Sequence, residues 1–339
     1  MKKPFSKSAI GRSLMLAPLA LAISMTMTGC GGGGTDGARA TGAGATGGSG
    51  GGAPTATETP QRASMLYIVN GGPGFKVTQC TIDESGALSG CANASVPGIS
   101  APPDGIAIHD ADAFVTVSST KQVLRCPIDG KGALSSCQDS GAKSLAYPGG
   151  IYIEGATAYI TSYGNPGSIS QCAIGNAGAL SCTTGTPSGS SGPLAIAISG
   201  SSAYVATFGS TTGDLVQCPL DGNGALTTCS STGAYANVPY GITANNGRIF
   251  VTNIGGPHGS ITQATVDSKA GAVVNVSQLE DPSISGPVGM AVRGSVAYVL
   301  NGVTQSVSRC SLASGTLSEC QDAGVPAGRL SSPRAVAVR

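Results

Sequence analysis

The sequence predicts an all-β protein, a six-bladed β-propeller in which each blade has four antiparallel strands. Composition is the first observation, because 53 glycines, no tryptophan and only 10% charged residues suit strands and turns better than soluble helices. A repeat is the second, with cysteines recurring at intervals of 46 residues or twice 46. Length is the third, since the 278 residues from Arg62 to Arg339 hold about six such periods. Four short strands in such a period are typical of a propeller blade. The repeated cysteines are Cys80, Cys126, Cys172, Cys218 and Cys310.

Residues 1–29 have the features of a secretory signal peptide. Four cations in the first 12 residues precede an apolar stretch from Leu14 to Met27, which is too short to span a bilayer comfortably. The stretch ends in Met27-Thr28-Gly29-Cys30, which resembles the lipobox of bacterial lipoproteins. That resemblance implies export, cleavage before Cys30 and acylation of its thiol. An ordinary signal peptide followed by an incidental cysteine is the alternative.

Residues 30–61 are predicted to be a disordered tether. Twelve glycines lie between Gly31 and Gly52, and so glycine-rich a segment buries almost nothing. As a random coil of about 30 residues it would reach roughly 30 Å on average. By resemblance to enterobacterial lipoproteins, Gly31 in place of Asp after the lipidated cysteine implies sorting to the outer membrane.

The folded domain is predicted to span residues 62–339, with the same strands in each repeat. A proline precedes each apolar first strand, as in Gly105–Ile108 and Gly150–Ile153. The second strands are predicted at Tyr67–Asn70, Phe114–Val117, Tyr159–Ser162, Tyr204–Thr207, Phe250–Asn253 and Tyr298–Asn301. The third strand contains the first cysteine of a repeat, and the fourth contains the second.

The two ends of this domain favour a closed ring. It begins on a second-strand sequence at Tyr67 and ends on a first-strand sequence at Val338. The last strand can therefore complete the first blade and remove an exposed sheet edge. An open six-repeat solenoid is the rival architecture, and it would leave both ends uncapped.

Ten cysteines are predicted to form five disulfides, one within each of five blades. The second cysteine follows the first by 10 or 11 residues, which places the two on neighbouring strands of one hairpin. For the 11-residue pair at Cys218 the midpoint predicts a two-residue Asn223-Gly224 turn, and for the 10-residue pair at Cys172 a three-residue loop around Ala177. The predicted pairs are Cys80–Cys91, Cys126–Cys137, Cys172–Cys182, Cys218–Cys229 and Cys310–Cys320.

Blade five is an internal control for this pairing. It has Ala264 in place of the first cysteine and Asn275 eleven residues later, so both partners are absent together. A metal site would need clustered cysteines or additional histidines, and the sequence has only two histidines, so no metal or cofactor is predicted. Disulfides also require an oxidising compartment, in agreement with export.

The second-strand sequences, above all Phe250-Val251-Thr252-Asn253, resemble the Tyr-Val-Thr-Asn repeat of lactonase-like β-propellers, which are related to NHL-type blades. The resemblance covers residues 62–339. It implies a ligand site at the mouth of the central channel, built by the loops between strands two and three and those before strand one. Because propellers host many activities, it does not by itself assign a reaction.

The mouth can be read from the sequence at two sets of positions. The residues after the repeat prolines are mostly small and neutral, with Asp104 the one acid and no His or Glu general base among them. We therefore predict no catalytic residue. The possible ligand-binding residues are Asn70, Asp104, Ser162, Thr207, Tyr240, Asn253, His258, Asn301 and Arg334. For the asparagines, turn chemistry at strand ends is the alternative role.

Charge excludes a nucleic-acid partner. Without the four cations of the signal peptide, 14 basic residues face 17 acidic ones, and no basic patch is visible. Two functional hypotheses remain. One is a non-catalytic propeller of the bacterial cell envelope, tethered to a membrane by lipid, that binds protein or glycan. The other is a lactonase-like hydrolase acting at the channel mouth.

Overall fold

A computed structural model describes residues 64–163, 167–185, 187, 189–208, 213–234 and 236–339. The predicted signal peptide, tether and Cys30 lie outside these residues. The described residues form 24 β-strands and two 3-10 helices, Ser118–Thr120 and Asn176–Gly178. Over the same residues, no helix has the length and apolar character needed to cross a bilayer.

The strands form six four-stranded antiparallel sheets, which confirms the predicted propeller. Blade 1 contains β1 Met65–Asn70, β2 Val77–Ile82 and β3 Leu88–Ala94. Blade 2 contains β4 Gly105–His109, β5 Asp112–Val117, β6 Gln122–Pro127 and β7 Gln138–Asp139. Blade 3 contains β8 Pro148–Glu154, β9 Thr157–Ser162, β10 Ser168–Ile174 and β11 Leu180–Gly185.

The second half of the chain repeats the pattern. Blade 4 contains β12 Pro193–Ser199, β13 Ser202–Thr207, β14 Asp214–Pro219 and β15 Ser230–Ser231. Blade 5 contains β16 Pro239–Asn245, β17 Arg248–Asn253, β18 Ser260–Val266 and β19 Val273–Leu279. Blade 6 contains β20 Pro287–Arg293, β21 Val296–Asn301, β22 Ser306–Ser311 and β23 Ser318–Asp322, and β24 spans Pro333–Val338. All six second strands end at the residues predicted from the sequence.

The ring is closed by the last strand. β24 pairs antiparallel with β1 and becomes the inner strand of blade 1, with Leu66 opposite Val338 and Ile68 opposite Val336. The predicted closure is therefore confirmed, and the first and last strands share one sheet. The inner edge of β1, which would otherwise be unpaired, is covered.

Six apolar clusters hold the blades together, one at each blade–blade interface of the ring. The cluster at the closure joins Leu66 and Ile68 of blade 1 to Tyr298 and Leu300 of blade 6, and all four side chains are fully buried. Because blades pack face to face, each blade contributes to two clusters. The core is thus a circle of small interfaces, and its stability depends on every junction.

A tyrosine on the second strand reinforces four of these junctions. Its hydroxyl donates a hydrogen bond to a glycine carbonyl in the outer hairpin of the next blade. The four bonds are Tyr67 to Gly132 at 2.7 Å, Tyr159 to Gly224 at 3.1 Å, Tyr204 to Gly271, and Tyr298 to Gly86 at 2.7 Å. Phe114 and Phe250 occupy the same position at the other two junctions, where this bond cannot form.

All five predicted disulfides are present, with Cα–Cα separations of 3.9 to 4.1 Å. Each lies between the two outer strands of its blade and packs into a blade–blade cluster, as Cys80 and Cys91 do beside Tyr298. They therefore fix the outer strands against the neighbouring blade as well as against each other. Five disulfides indicate that the protein folds in an oxidising compartment, such as an envelope or extracellular space.

The predicted two-residue turn at Asn223-Gly224 is wrong. The hairpin closes through a hydrogen bond from Asp221 N–H to Ala225 C=O of 2.9 Å, which leaves a three-residue loop that ends in Gly224 with φ of 76°. Three-residue hairpins favour glycine at this left-handed position. Next to the turn Leu220 pairs with Leu226, whereas further along the hairpin Val216 pairs with Ser231, a register shifted by one residue. This shift accounts for the additional residue in the 11-residue spacing. For Cys172 and Cys182, which pair directly, the predicted three-residue loop around Ala177 is confirmed.

The structure also corrects the sequence alignment of blade 5, in which Asn275 was matched to the second cysteine of the other blades. In blades 1 and 6 the second cysteine follows a residue with positive φ, Gly90 at 59° and Glu319 at 51°. In blade 5 the residue with this conformation is Asn275, at 52°. The position that corresponds to the missing second cysteine is therefore Val276, because the blade 5 hairpin loop is one residue longer.

Candidate functional site at the channel mouth

The central cavity is lined by residues that the repeat prolines position. In five of the six blades the register between the inner strand and the second strand shifts just after the proline. The residue that follows the proline therefore has no partner in the second strand. Bulges of this kind redirect a side chain, here toward the propeller axis. All six post-proline residues line the cavity: Asp104, Gly149, Leu194, Tyr240, Val288 and Arg334. The sequence identified this set correctly.

Small residues beneath this rim let the inner strands approach the axis. A Cβ on Gly150 would lie 2.6 Å from the Leu194 carbonyl oxygen and 2.9 Å from Ala195 Cα, so no side chain fits there. The Thr161 hydroxyl donates to the same Leu194 carbonyl at 2.7 Å and holds blades 3 and 4 together. The resulting cavity has a volume of about 140 Å³. Its deeper side-chain walls are aliphatic, consisting of Ile106, Ile151, Ile196, Ile242, Met290 and Val336.

One ion pair crosses the mouth. Arg334 at the start of β24 donates through Nη1 to Asp104 Oδ1, which joins blade 1 to blade 2. The second carboxylate oxygen of Asp104 accepts the Ser118 backbone N–H at 2.9 Å. The Asp104 side chain is 10% exposed and that of Arg334 is 37% exposed. Both carboxylate oxygens therefore accept a hydrogen bond, whereas the guanidinium makes no other hydrogen bond within the described part of the chain.

Two tyrosines border this pair. Burial raises the pKa of Tyr240, with Arg334 opposing that shift and Asp104 adding to it, so the hydroxyl is neutral at physiological pH. The Tyr163 ring lies against the rim, since a Cβ on Gly149 would be 3.3 Å from its Cδ1. Tyr163 also stacks on Tyr147, with ring centroids 6.0 Å apart, and Lys121 Nζ lies 5.5 Å from the centre of the Tyr147 ring.

Exposed apolar side chains border the mouth along blades 3 to 6, and we call them the apolar ring. Residues just beyond the second strands lie on this face, and Phe208 and Val303 are 57% and 74% exposed. Five of the seven exposed large hydrophobic residues in the described ranges belong to it; the other two, Val274 and Val276, lie on β19. The apolar ring consists of Tyr147, Tyr163, Phe208, Ile254 and Val303. Sequence reasoning missed it, although the first position after each second strand was a signal that could have found three of the five, Tyr163, Phe208 and Ile254.

The strand-end residues of the prediction lie outside the cavity lining. Asn301 donates through Nδ2 to Ser308 Oγ at 2.8 Å, and its Oδ1 accepts the Ser285 N–H at 3.0 Å. This arrangement clamps the segment that leads into the inner strand of the same blade. Asn70 and Asn253 make similar bonds to Ser331 and Asn237.

Ser162 and Thr207 occupy the corresponding positions in blades 3 and 4. Both are buried, at 1% and 5% exposure, and neither lines the cavity. A ligand-binding role for these two residues and for the three asparagines stays a prediction.

His258 also lies apart from the cavity. It lines a groove of about 340 Å³ on the same face, together with Glu280 and Asp281. Among the described residues, no group of three or more His, Cys, Asp or Glu side chains is arranged to hold a metal ion. Of the nine predicted mouth residues, the structure brings three to the cavity: Asp104, Tyr240 and Arg334.

Comparison with known proteins identifies no family from sequence. No family model matches the chain, and no curated protein is significantly similar. Solved structures do match. The nidogen/laminin complex contains a chain that aligns with a TM-score of 0.61 at 14% identity, over 81% of this chain and 98% of that one.

Two bacterial structures with lactonase names also align. A candidate 6-phosphogluconolactonase of Bacteroides fragilis gives a TM-score of 0.59 at 14% identity, over 85% of this chain and all of that one. The periplasmic gluconolactonase of Pseudomonas aeruginosa gives 0.54 at 13% identity, over 81% and 98%. At such low identity these likenesses establish the propeller fold and no activity.

Proposed function

We propose that the protein is a lipid-anchored propeller of the bacterial cell envelope that binds a protein or glycan partner at its channel mouth without catalysing a reaction. The observation that carries the proposal is the apolar ring, which borders a mouth whose two charges pair with each other. Exposed apolar patches rimmed by polar residues are typical of interaction sites on otherwise soluble surfaces. Tyrosine and arginine, both at this mouth, are also enriched at binding hot spots.

The chemistry of the mouth supports binding rather than hydrolysis. A hydrolase needs a general base within hydrogen-bond reach of a substrate or water. Asp104 is the one carboxylate among the described cavity-lining residues, and Arg334 and the Ser118 N–H already occupy its two oxygens. No histidine lines the cavity in the described ranges.

A lactonase-like hydrolase is the second candidate. The Tyr-Val-Thr-Asn resemblance and the lactonase names of two structural neighbours favour it. It would require Asp104 to leave Arg334, or His258 to act from its separate groove. Lactone hydrolysis by the purified protein that is lost in Asp104→Asn or His258→Ala would establish this candidate instead.

The anchor is a separate part of the proposal. β1 begins at Met65 on the face opposite the mouth, because second strands run toward the mouth and end there. A membrane tether that leads into β1 would thus leave the mouth accessible. Cys30→Ala should abolish palmitate labelling, and unchanged labelling would contradict the anchor.

The binding function can be tested by photo-crosslinking in intact cells. A photoreactive amino acid at Val303 in the apolar ring should trap a specific partner. The same amino acid at Val276, on the outer strand of blade 5, is the matched control because both valines are exposed. Identical products from both positions, or none from either, would contradict the mouth as the binding surface.

A further inference from the structure

We infer that the partner is a protein that inserts one large apolar side chain, of the size of Phe or Leu, into the central cavity. This inference rests on the proposed function and adds the chemical class of the ligand. It follows from three features of the mouth, namely the size of the cavity, the chemistry of its walls, and the donors on its rim.

The cavity has room for one side chain. Its volume is about 140 Å³, and an apolar cavity of about 150 Å³ in another protein takes up benzene. Its apolar lining includes the side chains of Ile106, Ile196 and Met290. A phenyl or isobutyl group that enters from the mouth would move its apolar surface out of water and into contact with these side chains. This transfer has a favourable free energy.

The same walls disfavour a sugar ring. A hydroxyl moved from water into an apolar site without a partner loses roughly 1–3 kcal/mol on protein scales. Below the rim the described lining side chains are aliphatic or absent, so a sugar would find hydrogen-bond partners there only in backbone groups. A glycan could therefore contact the rim but would gain little from entering the cavity.

The rim suits a peptide backbone. Arg334 retains free guanidinium N–H groups, and the hydroxyls of Tyr163 and Tyr240 form no hydrogen bond with any residue the structure describes. These donors surround the cavity opening, where a backbone carbonyl next to the inserted residue would lie. Because Asp104 neutralises Arg334, the rim favours a neutral carbonyl over a second charge. Phe208 and Val303 would cover the flanking residues of the peptide.

The experiment selects ligands without assuming one. The full chain, purified in detergent and immobilised, is offered a phage library of random peptides and, separately, an array of bacterial oligosaccharides. Each selection is repeated with Val288→Trp, which fills the cavity opening, and with Val276→Trp as the matched control on the outer strand. Leu194→Trp is a second blocking variant, in case Val288→Trp does not fold.

The inference expects selected peptides that share one large apolar residue. Replacing that residue with Ala should weaken binding about 10- to 100-fold, which corresponds to returning one large apolar side chain to water. Binding should be lost with either blocking variant and retained with Val276→Trp.

Two other outcomes overturn the inference in distinguishable ways. Glycan binding that Val288→Trp abolishes, or selected peptides without a large apolar residue, would refute the inserted side chain and leave the proposed function standing. An absence of any mouth-dependent binding would refute both.

Discussion

Removal of one hydroxyl at the ring closure should measurably destabilise the whole propeller. Tyr298 is fully buried, and its hydroxyl donates to the Gly86 carbonyl of blade 1 at 2.7 Å. Tyr298→Phe removes the donor and leaves that carbonyl without its partner, which costs about 1–3 kcal/mol of folding free energy. The phenylalanine side chain itself should fit without steric strain, because Phe114 and Phe250 are fully buried at the corresponding positions of two other blades. For a domain of this size each kcal/mol corresponds to a Tm lower by roughly 2–4 °C.

The measurement is urea denaturation under non-reducing conditions, so that the five disulfides persist in both states. Tyr67→Phe removes a bond of the same length at the junction of blades 1 and 2 and should give a loss of similar size. Tyr147→Phe is the control, since that side chain is 49% exposed and stability should not change. The reasoning is refuted if Tyr298→Phe unfolds with the same free energy as the control.

Three further predictions concern the outer strands, the axis and pH. Ala264→Cys combined with Val276→Cys should form a sixth disulfide and raise stability by about 2–3 kcal/mol, and free thiols in non-reducing peptide mapping would contradict the pairing. Gly150→Ala should cost about 1–3 kcal/mol by crowding the axis, whereas Gly130→Ala, where a Cβ meets open space, should be nearly neutral in thermal denaturation. Burial raises the pKa of six tyrosines above 10.0, so the unfolded chain releases their protons first and stability should fall as pH rises beyond 10. Ultraviolet absorbance showing that these six tyrosines, and not only the exposed ones, form phenolate before the protein unfolds would contradict this. These six are Tyr67, Tyr152, Tyr159, Tyr204, Tyr240 and Tyr298.

The fold was predictable because its signals are local and repeated six times. Three signals specify where a strand begins or which strand it pairs with. They are the cysteine period, the proline before each inner strand, and the strand sequences at the two ends of the folded domain. The prolines also located the cavity lining, since all six post-proline residues line the cavity and in five blades the strand pairing shifts at the same place. One repeat read correctly was therefore enough to place the equivalent residues of the others.

What could not be predicted depends on side-chain direction and on contacts between blades. Asn301 ends a second strand beside the mouth, yet its amide turns into its own blade to clamp the incoming segment. The bond from Tyr67 to Gly132 joins residues 65 positions apart, and neither residue type is distinctive. The position of Val276 depended on a hairpin loop one residue longer than the count suggested.

The pairing of β24 with β1 also sets the order in which the protein can be completed. Leu66 and Val338 are adjacent in the sheet but 272 positions apart in the chain, so closing that loop opposes folding by about 5 kcal/mol of chain entropy plus a constant. During synthesis or export, blade 1 has only three strands until β24 becomes available. A chain that stops before Pro333 would leave the inner edge of β1 open to pairing with another molecule. The ring can therefore close only in a chain that includes β24.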